Sequence, residues 1–96
     1  MPDFDFTLVP GKPIMFDFRN WLRDGEHIKD RRITFTPNRL VLNRIIQRRG
    51  MVQAWPSRGT VGVIYHALCV ARTNLGQRLE LGGRFRWMPQ GFEEET

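Results

Sequence analysis

VQAWPSRGTVGVIYHALCVARTNLGQRLELGGRFRW, Val52 to Trp87, is the stretch that decides the fold. It divides into the run VQAWP, the turn SRGTVG, the run VIYHALCVART, the turn NLGQ and the run RLELGGRFRW. In the last run Leu79, Leu81, Phe85 and Trp87 share one parity, with Gly83 in register between them. Arg78, Glu80, Arg84 and Arg86 share the other. Successive side chains of a strand point to opposite faces, so this pattern describes a sheet with one dry and one wet face. In the middle run Tyr65, Ala67, Cys69 and Ala71 oppose Ile64, His66, Leu68 and Val70. Both sets are largely apolar, which predicts a central strand. Asn74 to Gln77 closes a hairpin, with Asn74 or Gly76 supplying a positive φ. Gly82 and Gly83 read as a bulge or bend in the last strand.

The same period extends towards the N-terminus. Phe4, Phe6 and Leu8 alternate with Asp5 and Thr7, a first strand or an N-terminal arm within residues 1–9. Ile14, Phe16 and Phe18 form a second strand, and Asp24-Gly25 turns the chain after it. Trp21 directly follows that strand, a position that predicts a plug at the end of a sandwich core. Ile33 and Phe35 mark a third strand, ended by Pro37-Asn38. Arg39 to Arg49 fits two periods: Leu40 and Leu42 alternate, whereas Leu42, Ile45, Ile46 and Arg49 also form a helical stripe. A strand over Leu40 to Ile46 is the better reading, because Gly50 after two arginines resembles a hairpin end and the neighbours are strands. Met51 to Trp55 is a strand stopped by Pro56, and PQGFEEET, Pro89 to Thr96, is a tail. About seven strands with turn signals every 8–12 residues predict one all-β domain over residues 1–96, an immunoglobulin-like antiparallel β-sandwich. Its core anchors are Trp21, Trp55, Tyr65, Phe85 and Trp87.

Ninety-six residues allow one domain, and a chain this short buries only about two-thirds of its unfolded surface. The 41% hydrophobic and 26% charged fractions are those of ordinary globular proteins. No apolar run approaches the length of a membrane span. MPDFDF is acidic and lacks the basic, apolar layout of a signal segment, so export is not expected. The formal net charge is +5, carried mainly by arginine and scattered along the chain. That scatter reads as a solvated surface rather than a nucleic-acid footprint. Phe85 and Trp87 alternate with Arg84 and Arg86, which puts rings and cations on opposite faces and argues against a base-stacking platform.

The sequence offers no catalytic constellation. Cys69, the single cysteine, lies in an apolar run and reads as a small buried hydrophobe. His27 and His66 have no second ligand at metal spacing. Ser57, the only serine, sits in a turn without the strand-turn-helix context of a nucleophile elbow. No carboxylate pair is held on rigid strands, and no helix follows Gly82-Gly83 to make a phosphate cradle. No metal, no cofactor and no enzymatic activity are therefore expected.

Two blocks resemble a known family. FDFRNWLRDGEHI, Phe16 to Ile28, and VQAWPSRGTVGVIYHALCVARTNLGQR, Val52 to Arg78, are similar to segments of the fibre–tail adaptor proteins of tailed bacteriophages. The shared order runs through Trp21-Leu22, Gly25-Glu26, Ile28, Trp55, Gly59-Thr60, Gly62, Tyr65, Thr73 and Gly76. The chain departs from the family pattern at His27, where a hydroxyl residue is expected, and at Ala54, where a β-branched one is. Asn38 to Gly50 is also more basic and apolar than the Ser/Thr-rich stretch expected there. The resemblance implies a non-enzymatic virion protein, an adaptor at the tail or neck that links fibres or neighbouring subunits. It implies assembly in the bacterial host cytoplasm, in several copies, with other virion proteins as partners and no membrane. Loop residues are the expected contacts: Arg48 and Arg49 in one hairpin, Arg58 in another, and Phe92 in the tail. The rival readings are a capsid decoration protein, a subunit of a phage-like contractile device, and a basic β-barrel that binds nucleic acid.

Overall fold

A computed structural model describes residues 3–8 and 11–89, with side chains from Leu8 onward. The described residues form seven strands: β1 (Asp3–Leu8), β2 (Ile14–Asp17), β3 (Ile28–Thr36), β4 (Val41–Arg48), β5 (Met51–Ser57), β6 (Ile64–Thr73) and β7 (Arg78–Trp87). They form a four-stranded sheet in the order β1-β7-β6-β3 and a three-stranded sheet in the order β2-β5-β4. The partition of β2-β5-β4 from β3-β6-β7 has the order of strands B-E-D and C-F-G in immunoglobulin sandwiches. All pairings are antiparallel except that of β1, which runs parallel to β7 with Asp5 opposite Arg84 and Leu8 opposite Trp87. The first strand thus leaves its chain neighbour β2 and closes the far edge of the other sheet.

Alternation builds the core. Ile14, Phe16, Val52 and Ala54 from one sheet meet Phe35, Tyr65, Ala67, Cys69, Ala71, Phe85 and Trp87 from the other in a single buried cluster. Phe85 is its hub. It stacks on Tyr65 with centroids 5.8 Å apart and meets Phe35 edge-on at 6.3 Å. The buried Cys69 thiol is pushed up to about 12 by desolvation, with Arg31 pulling weakly the other way. A thiol held protonated in this way is a poor nucleophile.

The ambiguous segment resolves as a strand, β4. Arg49 (φ 46) and Gly50 (φ 85) make the two-residue turn to β5, the double positive φ of a I′ hairpin. Several boundaries differ from the sequence reading. β3 begins five residues earlier than Ile33, because an edge strand open on one side tolerates the charged run Lys29 to Arg32. Pro56 lies inside β5, where β2 pairing has already ended at Ala54 and a register shift between Leu42 and Arg44 interrupts the pairing with β4. Gly82 and Gly83 keep unbroken register with Leu68 and Ala67 and make no bulge; they lie where β1 begins to pair. The register shifts occur instead on the edge strands, between Ile28 and Asp30 and between Leu42 and Arg44.

Two of the five expected core anchors are not in the core. Trp21 is 42% exposed. The chain bends into a 3-10 turn, Arg19–Trp21, immediately after the buried Phe18, so strand alternation stops and the ring falls outside. Trp55 is half-buried on the outer face of β5, since Val52, Ala54 and Pro56 take the inward parity. Tyr65, Phe85 and Trp87 are buried.

Candidate functional site

The two ends of the sandwich are built differently. At one end, the Gly25-Glu26 turn meets the β6–β7 hairpin. The Glu26 side chain is fully buried. It accepts a hydrogen bond from the Thr73 hydroxyl at 2.5 Å and one from the Arg23 backbone N–H at 2.9 Å. The Gln77 amide donates to it at 3.3 Å and to the Trp21 carbonyl at 3.1 Å. Asn74 accepts from the His27 N–H at 2.8 Å and donates to the Gly25 carbonyl at 3.1 Å. Residues nearly fifty positions apart are therefore tied into one polar knot, with every buried side-chain polar atom satisfied among the described residues. The Thr73 hydroxyl first, and then the Arg23 N–H, hold the Glu26 carboxyl below its usual 4.5.

A folded-state pKa below the unfolded one adds stability above the ordinary glutamate range. That stability is lost as pH falls through the lowered folded value. Urea melts of the wild type are accordingly expected to show a drop in stability from about pH 5 downward. Glu26→Gln should be weaker at pH 7 and should lack its share of that acid-side drop. An unchanged acid limb would mean that Glu26 is not held ionised by this knot.

The opposite end closes over an aromatic ring. Gly59 lies flat on Trp87, and a Cβ there would come within 2.0 Å of the indole. The Thr60 N–H donates to the Tyr65 hydroxyl at 2.8 Å, and the Gly62 N–H to the Trp87 carbonyl at 2.9 Å. A groove of about 390 Å³ opens beside this loop, lined by Trp55, Arg58, Val61, Trp87 and Met88, among others.

Between the ends, the sheets present two outer faces of contrasting chemistry. Residues directly paired across strands share a face. On the three-stranded sheet this sets Met15, Gln53 and Ile46 in one row, Asp17, Met51 and Arg48 in the next, and Trp55 beside Arg44. Met15 is 46% and Val41 45% exposed. The Arg44 guanidinium lies 5.0 Å from the centroid of the Trp55 ring. This is an apolar stripe rimmed by arginine, the composition of a protein-contact patch. Arg19 caps one corner, its guanidinium and backbone N–H holding Asp17 below the usual carboxylate range. The outer face of the four-stranded sheet is basic: Arg72 lies between Asp30 and Arg78, Arg32 opposite Val70, and His66 opposite Arg84.

The residues expected to make contacts do not form one site. Arg48 and Arg49 are exposed at the β4–β5 turn, at the knotted end. Arg58 is exposed at the other end, in the loop after β5. The seven residues of β5 separate them by about 20 Å. Phe92 lies outside the described residues. Sequence reasoning missed Arg44 as the surface partner of Trp55, and Met15, Val41 and Ile46 as its companions on the same face. The signal available was the odd parity of Met51, Gln53 and Trp55, which fixes all three on one face once β5 is recognised.

Trp55→Ala is a direct check of this placement. Removing a half-buried ring on a solvent face should cost about 1 kcal/mol, against about 3–5 kcal/mol for a core ring. A loss at the upper figure in denaturant melts would return Trp55 to the core.

Among the described residues, no cluster of three or more His, Cys, Asp or Glu side chains is placed to hold a metal ion, and no helix is long and apolar enough to cross a membrane. Gly25, Glu26, Gly59, Thr60, Gly62, Tyr65, Thr73 and Gly76 are all accounted for by the knot, by turns or by the loop over Trp87. These family-like positions therefore maintain the scaffold. No curated protein matches the chain. The family model of the podophage GP4 fiber-tail adaptor protein gp77 matches residues 12–84, well over half of its length. Matched over that share of its residues, the chain belongs to the podophage fiber-tail adaptor family.

Proposed function

We propose that the protein is a non-enzymatic joint in the tail region of a phage particle, linking fibres to the tail or neck through an immunoglobulin-like sandwich. The family match over residues 12–84 carries this reading. The architecture supports it, because a linker between unlike parts needs unlike surfaces and the two sheets present an apolar and a basic one. Several copies in a symmetric array multiply modest contacts into a durable joint through effective concentration. In this reading the outer face of β2-β5-β4 packs against an apolar surface of a neighbouring virion subunit. Arg48 and Arg49 border one end of that contact and Arg58 the other. Non-polar side chains around a central Trp, ringed by arginines, are the usual make-up of a binding hot spot.

The test is fibre retention. Met15→Asp and Trp55→Asp variants, introduced into the phage genome, should yield particles that lose fibres, as seen by electron microscopy, while the purified variants still fold. Particles that keep their fibres with both variants, or with the gene deleted, would overturn the assignment.

A further inference from the structure

The basic face contains a shallow hollow of about 410 Å³ that the adaptor reading leaves unused. It is lined by Asp30, Arg31, Arg32, Val70, Arg72 and Arg78. Four arginines line it around a half-buried valine, Arg32 and Arg72 on the outer face and Arg31 on edge strand β3 with the opposite parity, opposite the buried Ala71. Arg78 pairs with Glu80 on its own strand. Among the described residues, no carboxylate pairs with Arg31, Arg32 or Arg72. The hollow is thus a cluster of exposed cations that outnumber the acids beside them, Asp30 opposite Arg72 and Glu80 paired with Arg78. Asp30 and Glu80 within the array disfavour a polyphosphate strand, and the neighbouring outward side chains, Ile64, His66 and Leu68, offer no ring wider than imidazole for base stacking.

The chain supplies a complementary segment. Glu93, Glu94 and Glu95 form its densest acidic run and follow closely on β7. Their reach is limited. β7 runs from Arg78 at the knotted end to Trp87 at the other. If the chain reversed at Pro89 and ran back fully extended, the six residues to Glu95 would span about 20 Å. That brings Glu95 level with about Gly83, leaving Arg78 and its neighbour Arg72 some 17 Å further along the sheet. An Arg and a Glu side chain together do not bridge that gap. The chain's own tail thus stops at the near rim of the hollow, where Val70 and Arg32 lie level with Glu80, and a tail that fills it comes from another molecule.

We infer that the hollow receives the acidic C-terminal run of a second copy, so that each adaptor is linked to the next through Glu93–Glu95 against Arg31, Arg32 and Arg72. The inference rests on the adaptor reading for its biological setting only, because its test is made in solution. A head-to-tail contact of this kind repeats from copy to copy and closes a ring where the rotation permits. Ionic contacts at an exposed surface weaken with salt, so the association should be strongest at low ionic strength.

The experiment uses the full chain and sedimentation over a range of concentration and salt. Wild type is expected to self-associate at low salt. Both R31E/R32E/R72E and E93K/E94K/E95K are expected to associate at least tenfold more weakly. Mixing the two charge-reversed variants should restore a mixed complex, a rescue that a misfolded variant cannot give. A chain that stays monomeric at every salt concentration overturns the inference. So do variants that associate like wild type, and a mixture that fails to rescue. A (dT)20 oligonucleotide that binds wild type but not R31E/R32E/R72E, with no self-association, would assign the hollow to nucleic acid instead. None of these solution outcomes bears on fibre retention, which tests the adaptor reading separately.

Discussion

Phe85→Ala is expected to lower the stability of the domain by about 3–5 kcal/mol. The residue is 1% exposed and packs against two rings of its own sheet, Tyr65 by stacking and Phe35 by an edge contact. Removing it deletes the buried area of a full aromatic side chain and both ring contacts, and leaves a void that the surrounding sheets cannot collapse to fill. For a domain of this size each kcal/mol shifts the melting temperature by about 4–8 °C, so a fall of at least about 12 °C should be seen by calorimetry. Phe85→Leu keeps most of the volume and should lose much less. If Phe85→Ala cost under about 1 kcal/mol, the two sheets would not share the core described above.

Gly59→Ala should be nearly as damaging, although it adds a single methyl group. A Cβ on Gly59 would lie 2.0–2.5 Å from three atoms of the Trp87 ring. The ring cannot easily move aside, because it is 4% exposed and packed edge-on against Tyr65 at 6.3 Å. Either the loop lifts off, breaking the Thr60 N–H bond to the Tyr65 hydroxyl, or the indole shifts in the core. Overpacking of this kind costs about 3 kcal/mol. The mechanism has its own control: in a Trp87→Leu background the added methyl has room, so Gly59→Ala should there cost far less. Additive losses in that double-mutant cycle would show that the penalty has another origin. Gly11, Gly25 and Gly76 have open space where a Cβ would lie and take positive φ instead, so their intolerance to alanine would be conformational.

The strands themselves were readable from local pattern. The alternation of Leu81, Phe85 and Trp87 with arginines is a property of neighbours in the chain, and it is the property that buries one face of β7. Turn residues were equally legible: Gly25, Gly50 and Gly76 all take positive φ at the turns where they were expected. What parity could not supply was the choice of inner face where both faces carry apolar residues. In β5 the sequence reading names Trp55 as an anchor of the core. Opposed sheets interdigitate large side chains with small ones, however, and Tyr65, Phe85 and Trp87 on the far sheet leave room only for Val52, Ala54 and Pro56. Trp21 was misplaced for a related reason. Phe18, three residues earlier, already closes that end, and the 3-10 turn carries the indole outward.

By itself, then, the order of residues determined the period-two pattern, the number of strands, the turns between them and the charge balance, because each depends on residues close together in the chain. Only the tertiary structure decided the rest. It joined Glu26 to Thr73 and set Gly59 against Trp87. It laid β1 beside β7 in parallel, and it gathered arginines from β3, β6 and β7 around one hollow on one face while exposing an apolar stripe on the other. The physical reason is that these contacts lie between segments far apart in the chain. Which segments meet is set by how two twisted sheets bury a shared core, a condition on the whole chain that no short window contains.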